Sequence, residues 1–272
     1  MSMLFDAPLP RPPREVRAGV AHLPGFLTLE QQAEMVGLAR GIARAAAGTP
    51  AAMRRVPVGH GDGMTSAYLM ALGQAYLSQP FRYVPRGAGG VEAPDVPAEW
   101  RELARRALLD AVRISPDLVP WAAAYRADVA LVNYYPPGAS MGLHVDAMEE
   151  SPAPVVSLSI GDEALFRMGG TEGRSKPWDD VLLMSGDLLV FGGPARRAYH
   201  GVPRIHPGTA PAGCGVTEGR LNITIRQVDH LAAHPTGELC KIVHTYIRRT
   251  GPMHECERCS GEILQSDHHG DH

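Results

Sequence analysis

The stretch Arg220–Arg226, RLNITIR, constrains this chain more than any other. Leu221, Ile223 and Ile225 alternate with Arg220, Asn222, Thr224 and Arg226, the period-two pattern of a β-strand with one apolar and one polar face. Such a strand needs a core behind it and a partner for two guanidiniums in front of it, because buried unpaired charge is costly. The protein's own acids could form structural ion pairs there. A guanidinium fork also matches a carboxylate, so a dicarboxylic ligand would satisfy both arginines.

The hundred or so residues before it read as further short strands with turn signals between them. ADVALVNYYP is a strand broken by Pro136, Pro137 and Gly138, and SMGLHVD resumes it. APVVSLSIGDEALFRMGG gives two strands joined at Gly161-Asp162, and DDVLLMSGDLLVFGG repeats the device at Ser185-Gly186-Asp187. Asp187 reads as a structural turn residue. Pro203 to Gly219 reads as a loop, with His206 a loop histidine. Regularly spaced short strands predict a sandwich or jelly roll.

His144 and Asp146 are separated only by Val145, so on a strand they share one face. A second imidazole, His200, follows in AYHGV. Alone, a His-x-Asp pair fits a surface ion pair. With His200 it matches two histidines and a carboxylate holding non-haem Fe(II) with positions left open.

The ordered set NxY…HxD, then H, then RxNxTxR resembles the AlkB family of Fe(II)/2-oxoglutarate-dependent dioxygenases. The likeness runs through SLSIGDEALFRMGG and SGDLLVFGGPARRAYHGV and covers Leu131 to Val228. It implies a mainly β fold with flanking helices, a double-stranded β-helix of the jelly-roll, cupin-like kind. It implies Fe(II) on His144, Asp146 and His200, with 2-oxoglutarate and O2 as cosubstrates. Arg226 would meet the carboxylate near iron and Arg220 the distal one, with Asn133, Tyr135 and Asn222 adding hydrogen bonds. The implied reaction yields succinate and CO2, oxidises an N-methyl group and releases formaldehyde. The implied substrate is alkylated DNA of the 1-methyladenine and 3-methylcytosine type, preferably single-stranded. RNA, protein or a small molecule is the alternative, and a non-enzymatic sensor of metal or carboxylate is the remaining one.

Residues 48–98, rich in Gly and Pro, fall where the family places its substrate-recognition lid. Tyr76, Phe81, Arg82 and Tyr83 there, with Met148 and Arg174 beyond, are the candidate substrate contacts. Aromatics can stack an unpaired base and arginines can hold phosphate; the aromatics could equally pin an irregular loop to the core. Two departures stand out. The lid tryptophan of the DNA-repair members corresponds to Tyr76 or Leu77, and a carboxylate two residues past the metal-binding Asp is replaced by Met148.

The flanks complete the division of the chain. Residues 1–19, rich in Pro and Arg, read as an extended arm whose Arg11, Arg14 and Arg17 are solvated or touch phosphate. The catalytic domain spans 20–228, with its jelly-roll core at 128–228. Thr28 with Gln31 predicts a capped helix with Leu29, Gln32, Val36 and Ile42 on its stripe. Pro97–Val112 predicts a second helix, burying Trp100, Leu103, Ala107 and Leu108. Residues 229–272 form an extension in which Cys240, Cys256 and Cys259, with His244 and His254, either bind zinc or are incidental to a tail.

At 272 residues the chain can bury one large core. A net charge of −3 gives no bulk attraction to nucleic acid, so any polyanion must meet a local patch. Four cysteines in a chain this long predict no disulfide framework. No run of 18 apolar residues predicts a membrane span. The expectation is a cytoplasmic monomer.

Overall fold

The computed structural model describes residues 11–58, 63–78, 81–84 and 91–228. Arginine strand β13 (Arg220–Arg226) is buried along its whole length. On one side it pairs antiparallel with β6 (Val129–Tyr135), on the other with β8 (Val155–Gly161), so that Asn222 stands opposite both Asn133 and Ser159. The sheet is completed by β1 (Arg14–Arg17), β2 (Val20–Leu23), β3 (Tyr68–Leu72) and β11 (Leu188–Phe191), in the order β1-β2-β11-β8-β13-β6-β3. A second sheet has the order β10-β9-β12-β7, from β10 (Asp179–Leu183), β9 (Glu163–Met168), β12 (His200–His206) and β7 (Met141–His144). A separate hairpin joins β4 (Ala75–Ser78) to β5 (Phe81–Val84). The architecture is the expected jelly roll.

The two faces of β13 separate core from cavity. Leu221, Ile223 and Ile225 join Val132, Val156, Leu158, Ile160 and Val190 in one apolar cluster under helices α1 (Leu29–Ala45) and α2 (Ala98–Ala111). Met35, Val36 and Ala39 come from α1, and Trp100, Leu103 and Leu108 from α2; each large side chain so buried contributes about 1.5–3 kcal/mol. A second cluster lies between the sheets, where Val155, Leu189 and Phe191 meet Phe166, Met168, Val181, Leu183, Val202 and Ile205.

Helix α1 starts as predicted, with Thr28 and Gln31 in a reciprocal capping box. Leu29, at the first helical position, is 46% exposed instead of buried. This end docks through Gln32 instead, whose amide spans Leu27 O and Ser185 Oγ.

The two Gly-Asp turns are corners, not hairpins: β8 and β11 lie in the large sheet while β9 and β10 lie in the small one. Gly161 turns its corner at φ +98°, with a Cβ there meeting Gly219 O at 2.5 Å, a place only glycine fills. Asp162 fastens it by accepting from the amides of Thr209, Ala210 and Gly219. At the other corner Asp187 is fully buried and accepts from Arg11, His22 and the amides of Gly25 and Met184. It is structural, as read.

Three local expectations change. The arm is fastened from Arg11 onward: Arg11 pairs with Asp187, Arg14–Arg17 form an edge strand, and Arg17 binds Asp179 and Gly169 O. Protein acids thus occupy Arg11 and Arg17, which the sequence left to solvent or phosphate. Pro203–His206 continues β12 instead of opening a loop, with register shifts around Gly201–Arg204 that accommodate a proline lacking an N–H. Part of the expected lid, β3, is a regular member of the large sheet. The extension at 229–272, with Cys240, His244, His254, Cys256 and Cys259, lies outside the described residues. Among the described residues no helix is long and apolar enough to cross a membrane.

Candidate metal and cosubstrate centre

Strand pairing places the two histidines. β12 opens on His200, whose partner across the ladder is His144, the last residue of β7. Asp146 lies just past the strand end, so it is not set by strand alternation alone. Its backbone carbonyl is gripped by Arg196 and Arg197, which turns the carboxylate inward. The nearest oxygens of Asp146 lie 3.8 Å from His144 Nε2 and 3.5 Å from His200 Nε2. One ligand atom from each residue lies within 4.8 Å of the others.

The donor set fits a metal ion. His144 Nδ1 is 3.0 Å from Gly142 O and His200 Nδ1 is 3.0 Å from Ala198 O. Each Nδ1 therefore carries the proton, which leaves both Nε2 lone pairs facing Asp146. Burial and the neighbouring His200 push the His144 pKa down, favouring the neutral ligand form. Burial would raise the Asp146 pKa, but Arg226 and His200 beside it hold the group well below its ordinary value. Asp146 Oδ2 is buried and accepts no directed hydrogen bond, although Arg226 Nη2 stands 3.0 Å away. The rings of Phe166 and Phe191 frame His200.

A cavity of about 600 Å³ opens beside these ligands. Its wall is the polar face of β13 together with Leu131, Asn133 and Tyr135 of β6. Arg220 is 1% exposed, and Nη2 donates to Ser159 Oγ at 2.9 Å. Its Nε and Nη1 are buried and make no directed hydrogen bond, although the guanidinium stands 5.3 Å from the centre of the Tyr135 ring, and among the described residues no acid is paired with it. Burial pushes its pKa down. An unneutralised guanidinium with two idle donors on a cavity wall is a site for a carboxylate. Asn222, by contrast, spends its amide on Ser157 Oγ and Leu158 O.

Arg226 differs from the expectation for it. Nη1 is 2.6 Å from Glu149 and Nη2 3.0 Å from Asp146, so the protein's own acids neutralise it and only Nε has no partner. Glu149 is 1% exposed and also meets Arg196 Nη2 at 3.2 Å. The sequence reading missed Glu149, Arg196 and Arg197. None belongs to a periodic pattern, and the arginine doublet just ahead of His200 was the only signal.

The candidate substrate contacts divide. Tyr76 and Tyr83 face one another across the β4–β5 hairpin with ring centroids 5.4 Å apart. They pack on Ala71, Val129, Leu131 and Val228 and also line the cavity, so they pin the hairpin and form the wall at once. Met148, 39% exposed, and Arg174, set over the Tyr199 ring, line the cavity as well. Arg82 is exposed and outside the lining: adjacent strand residues face opposite ways, so it cannot join Tyr83. Phe81 heads β5. Val56, Pro57, Val58 and Thr65 add an apolar side that the sequence did not reveal.

A jelly roll with two imidazoles and a carboxylate converging at the foot of a cavity, and an unneutralised arginine in its wall, defines a 2-oxoglutarate- and Fe(II)-dependent dioxygenase. Residues 19–226 match the family described as the 2OG-Fe(II) oxygenase superfamily. Within it, the chain belongs to the AlkB family. It is 35% identical over 221 residues to an alpha-ketoglutarate-dependent dioxygenase AlkB homolog of Caulobacter vibrioides, covering 79% of this chain and 90% of that protein. It is 29% identical over 240 residues to the DNA N(6)-methyladenine demethylase ALKBH1C of Arabidopsis thaliana, covering 78% of this chain and 49% of that one. The solved structure of OsALKBH1 superposes with a TM-score of 0.67 at 28% identity, over 79% of this chain and all of that chain. Family membership sets aside the non-enzymatic sensor.

Proposed function

We infer that this dioxygenase demethylates N-alkylated bases of the 1-methyladenine and 3-methylcytosine type in DNA, taking them from single strands. The observation that carries this is the Tyr76–Tyr83 wall, two rings inclined at 58° that line the same cavity as the metal ligands and offer a base an aromatic face. The cavity's 600 Å³ lies within the range of about 300–1,000 Å³ typical of ligand sites. It suits a small dicarboxylate and one base, not a stacked pair. Extrusion from a duplex costs a few kcal/mol, which favours unpaired substrates.

Each wall has a part in this reading. His144, Asp146 and His200 hold Fe(II), which together with 2-oxoglutarate and O2 supplies the oxidising chemistry when bound. Arg220 neutralises the distal carboxylate through Nε and Nη1. Arg226 offers Nε to the carboxylate nearer the metal, and Asn133 and Tyr135 border the same space. One ring of the tilted Tyr76–Tyr83 pair stacks on the base, and Arg174 at the mouth takes a phosphate. Met148 offers no acceptor to an exocyclic amine, so that edge is bounded by shape. The enzyme works as a cytoplasmic monomer in this reading.

The test is a panel of methylated oligonucleotides, single-stranded, duplex and RNA, with Fe(II) and 2-oxoglutarate. Loss of methyl with matching formaldehyde and succinate, fastest on single-stranded DNA, is expected. Faster turnover of RNA moves the substrate to RNA. No methyl loss on any nucleic acid, while succinate still forms, overturns the substrate assignment.

A further inference from the structure

We propose that Glu149 is a positioning residue of the metal centre, acting through Arg226 to keep the Asp146 carboxylate available to the ion. Four side chains alternate in charge along one buried line: Arg196, Glu149, Arg226, Asp146. The contacts are 3.2 Å from Arg196 Nη2 to Glu149 Oε2, 2.6 Å from Arg226 Nη1 to Glu149 Oε1, and 3.0 Å from Arg226 Nη2 to Asp146 Oδ2. Arg226 therefore meets each acid with one nitrogen. This is unusual in its consequence, because a guanidinium beside a carboxylate favours the bidentate fork.

Glu149 prevents that fork. It occupies one end of the guanidinium, and its own place is fixed by Arg196 and by Arg197, which donates to Glu149 O at 2.7 Å. Without the Glu149 charge, Arg226 Nη1 would keep only a weaker neutral acceptor, and both Nη groups would turn onto the charged Asp146 carboxylate. That would occupy the acceptor lone pairs a metal needs. It would also leave two buried guanidiniums against one carboxylate, repelling a divalent cation. Outer contacts of this kind commonly change metal affinity by about 10–100-fold.

The inference rests on the metal centre and on no choice of substrate. It is tested by titrating Mn(II) into metal-free full-length protein, without 2-oxoglutarate, and following free Mn(II) by electron paramagnetic resonance. Glu149→Gln should weaken Mn(II) binding about tenfold. In an Arg226→Met background the same change should cost less than about twofold, because the residue through which it acts is gone. Should Glu149→Gln alone fail to fold, Glu149→Asp, whose shorter reach releases Arg226, is expected to weaken Mn(II) in its place. Unchanged Mn(II) affinity with only a lower melting temperature, or equal losses in both backgrounds, overturns the proposal. The role of Arg226 toward cosubstrate is read separately. If Mn(II)-loaded Arg226→Met binds 2-oxoglutarate as tightly as the parent, that role fails and the Glu149 result stands.

Discussion

His144 and His200 are direct partners across the β7–β12 ladder, with imidazole centroids 4.6 Å apart. A single strand pairing thus sets the spacing of two ligands that are far apart in sequence. His144 is only half-buried, so His144→Ala should shift stability by no more than about 1 kcal/mol. It should nonetheless abolish both succinate and formaldehyde formation, with iron content falling in parallel. Retained iron and turnover in a folded variant would remove His144 from the ligand set.

Arg220 carries charge that the described residues do not neutralise. Arg220→Met should make the cosubstrate-free protein more stable, by on the order of 1 kcal/mol, because a buried cation gives way to an apolar chain of similar length. The same change should lower 2-oxoglutarate affinity by at least about tenfold, the loss of a charge-assisted hydrogen bond pair. Thermal shift reads both: the ligand-free variant melts higher than the parent, and a 2-oxoglutarate titration raises its melting temperature only at concentrations at least about tenfold higher.

The Asp187 corner predicts a pH limb. Burial raises the pKa of this carboxyl, but the hydrogen bonds from His22, Arg11 and the Met184 and Gly25 amides outweigh it and bring the group down from 3.8 to about 2. A depressed carboxyl stabilises the fold above its unfolded pKa, and that contribution is lost as pH falls through the folded one. Stability should fall by on the order of 2 kcal/mol between pH 4 and 2 from this group. Asp187→Asn should be less stable at neutral pH and flatter across that window, as measured by denaturant unfolding.

Strand alternation separates Tyr83 from Arg82. Tyr83→Ala should raise KM for methylated oligonucleotide several-fold while leaving substrate-free decarboxylation of 2-oxoglutarate intact. Arg82→Ala should change neither. Equal effects would mean that the β4–β5 hairpin acts through electrostatics and not through its aromatic wall.

What the sequence disclosed follows from how local each signal is. The alternation in RLNITIR, the Thr28–Gln31 box and the apolar stripe Trp100–Leu103–Ala107–Leu108 each lie within a few residues, and each appears in the fold. The ligand set was legible because its order along the chain matches a known family. The Glu149–Arg226 pair was not, since its members are 77 residues apart and belong to no period. Likewise nothing local distinguishes a Gly-Asp hairpin from the corner at Gly161, which is fixed by the approach of Gly219 O. The strand at Arg14–Arg17 was hidden although its ladder partner, Val20–Leu23, is close by: REVR carries no apolar alternation, and the acid that holds Arg17, Asp179, lies far along the chain.

The convergence of His144, Asp146, His200 and Arg220 on one ligand set is tested most directly by a crystal structure with Mn(II) and 2-oxoglutarate. Anomalous density should lie between His144 Nε2, His200 Nε2 and the Asp146 carboxylate, with one end of the dicarboxylate on Arg220 Nε and Nη1. A metal peak elsewhere, or a cosubstrate that leaves those two Arg220 donors without a partner, would contradict it.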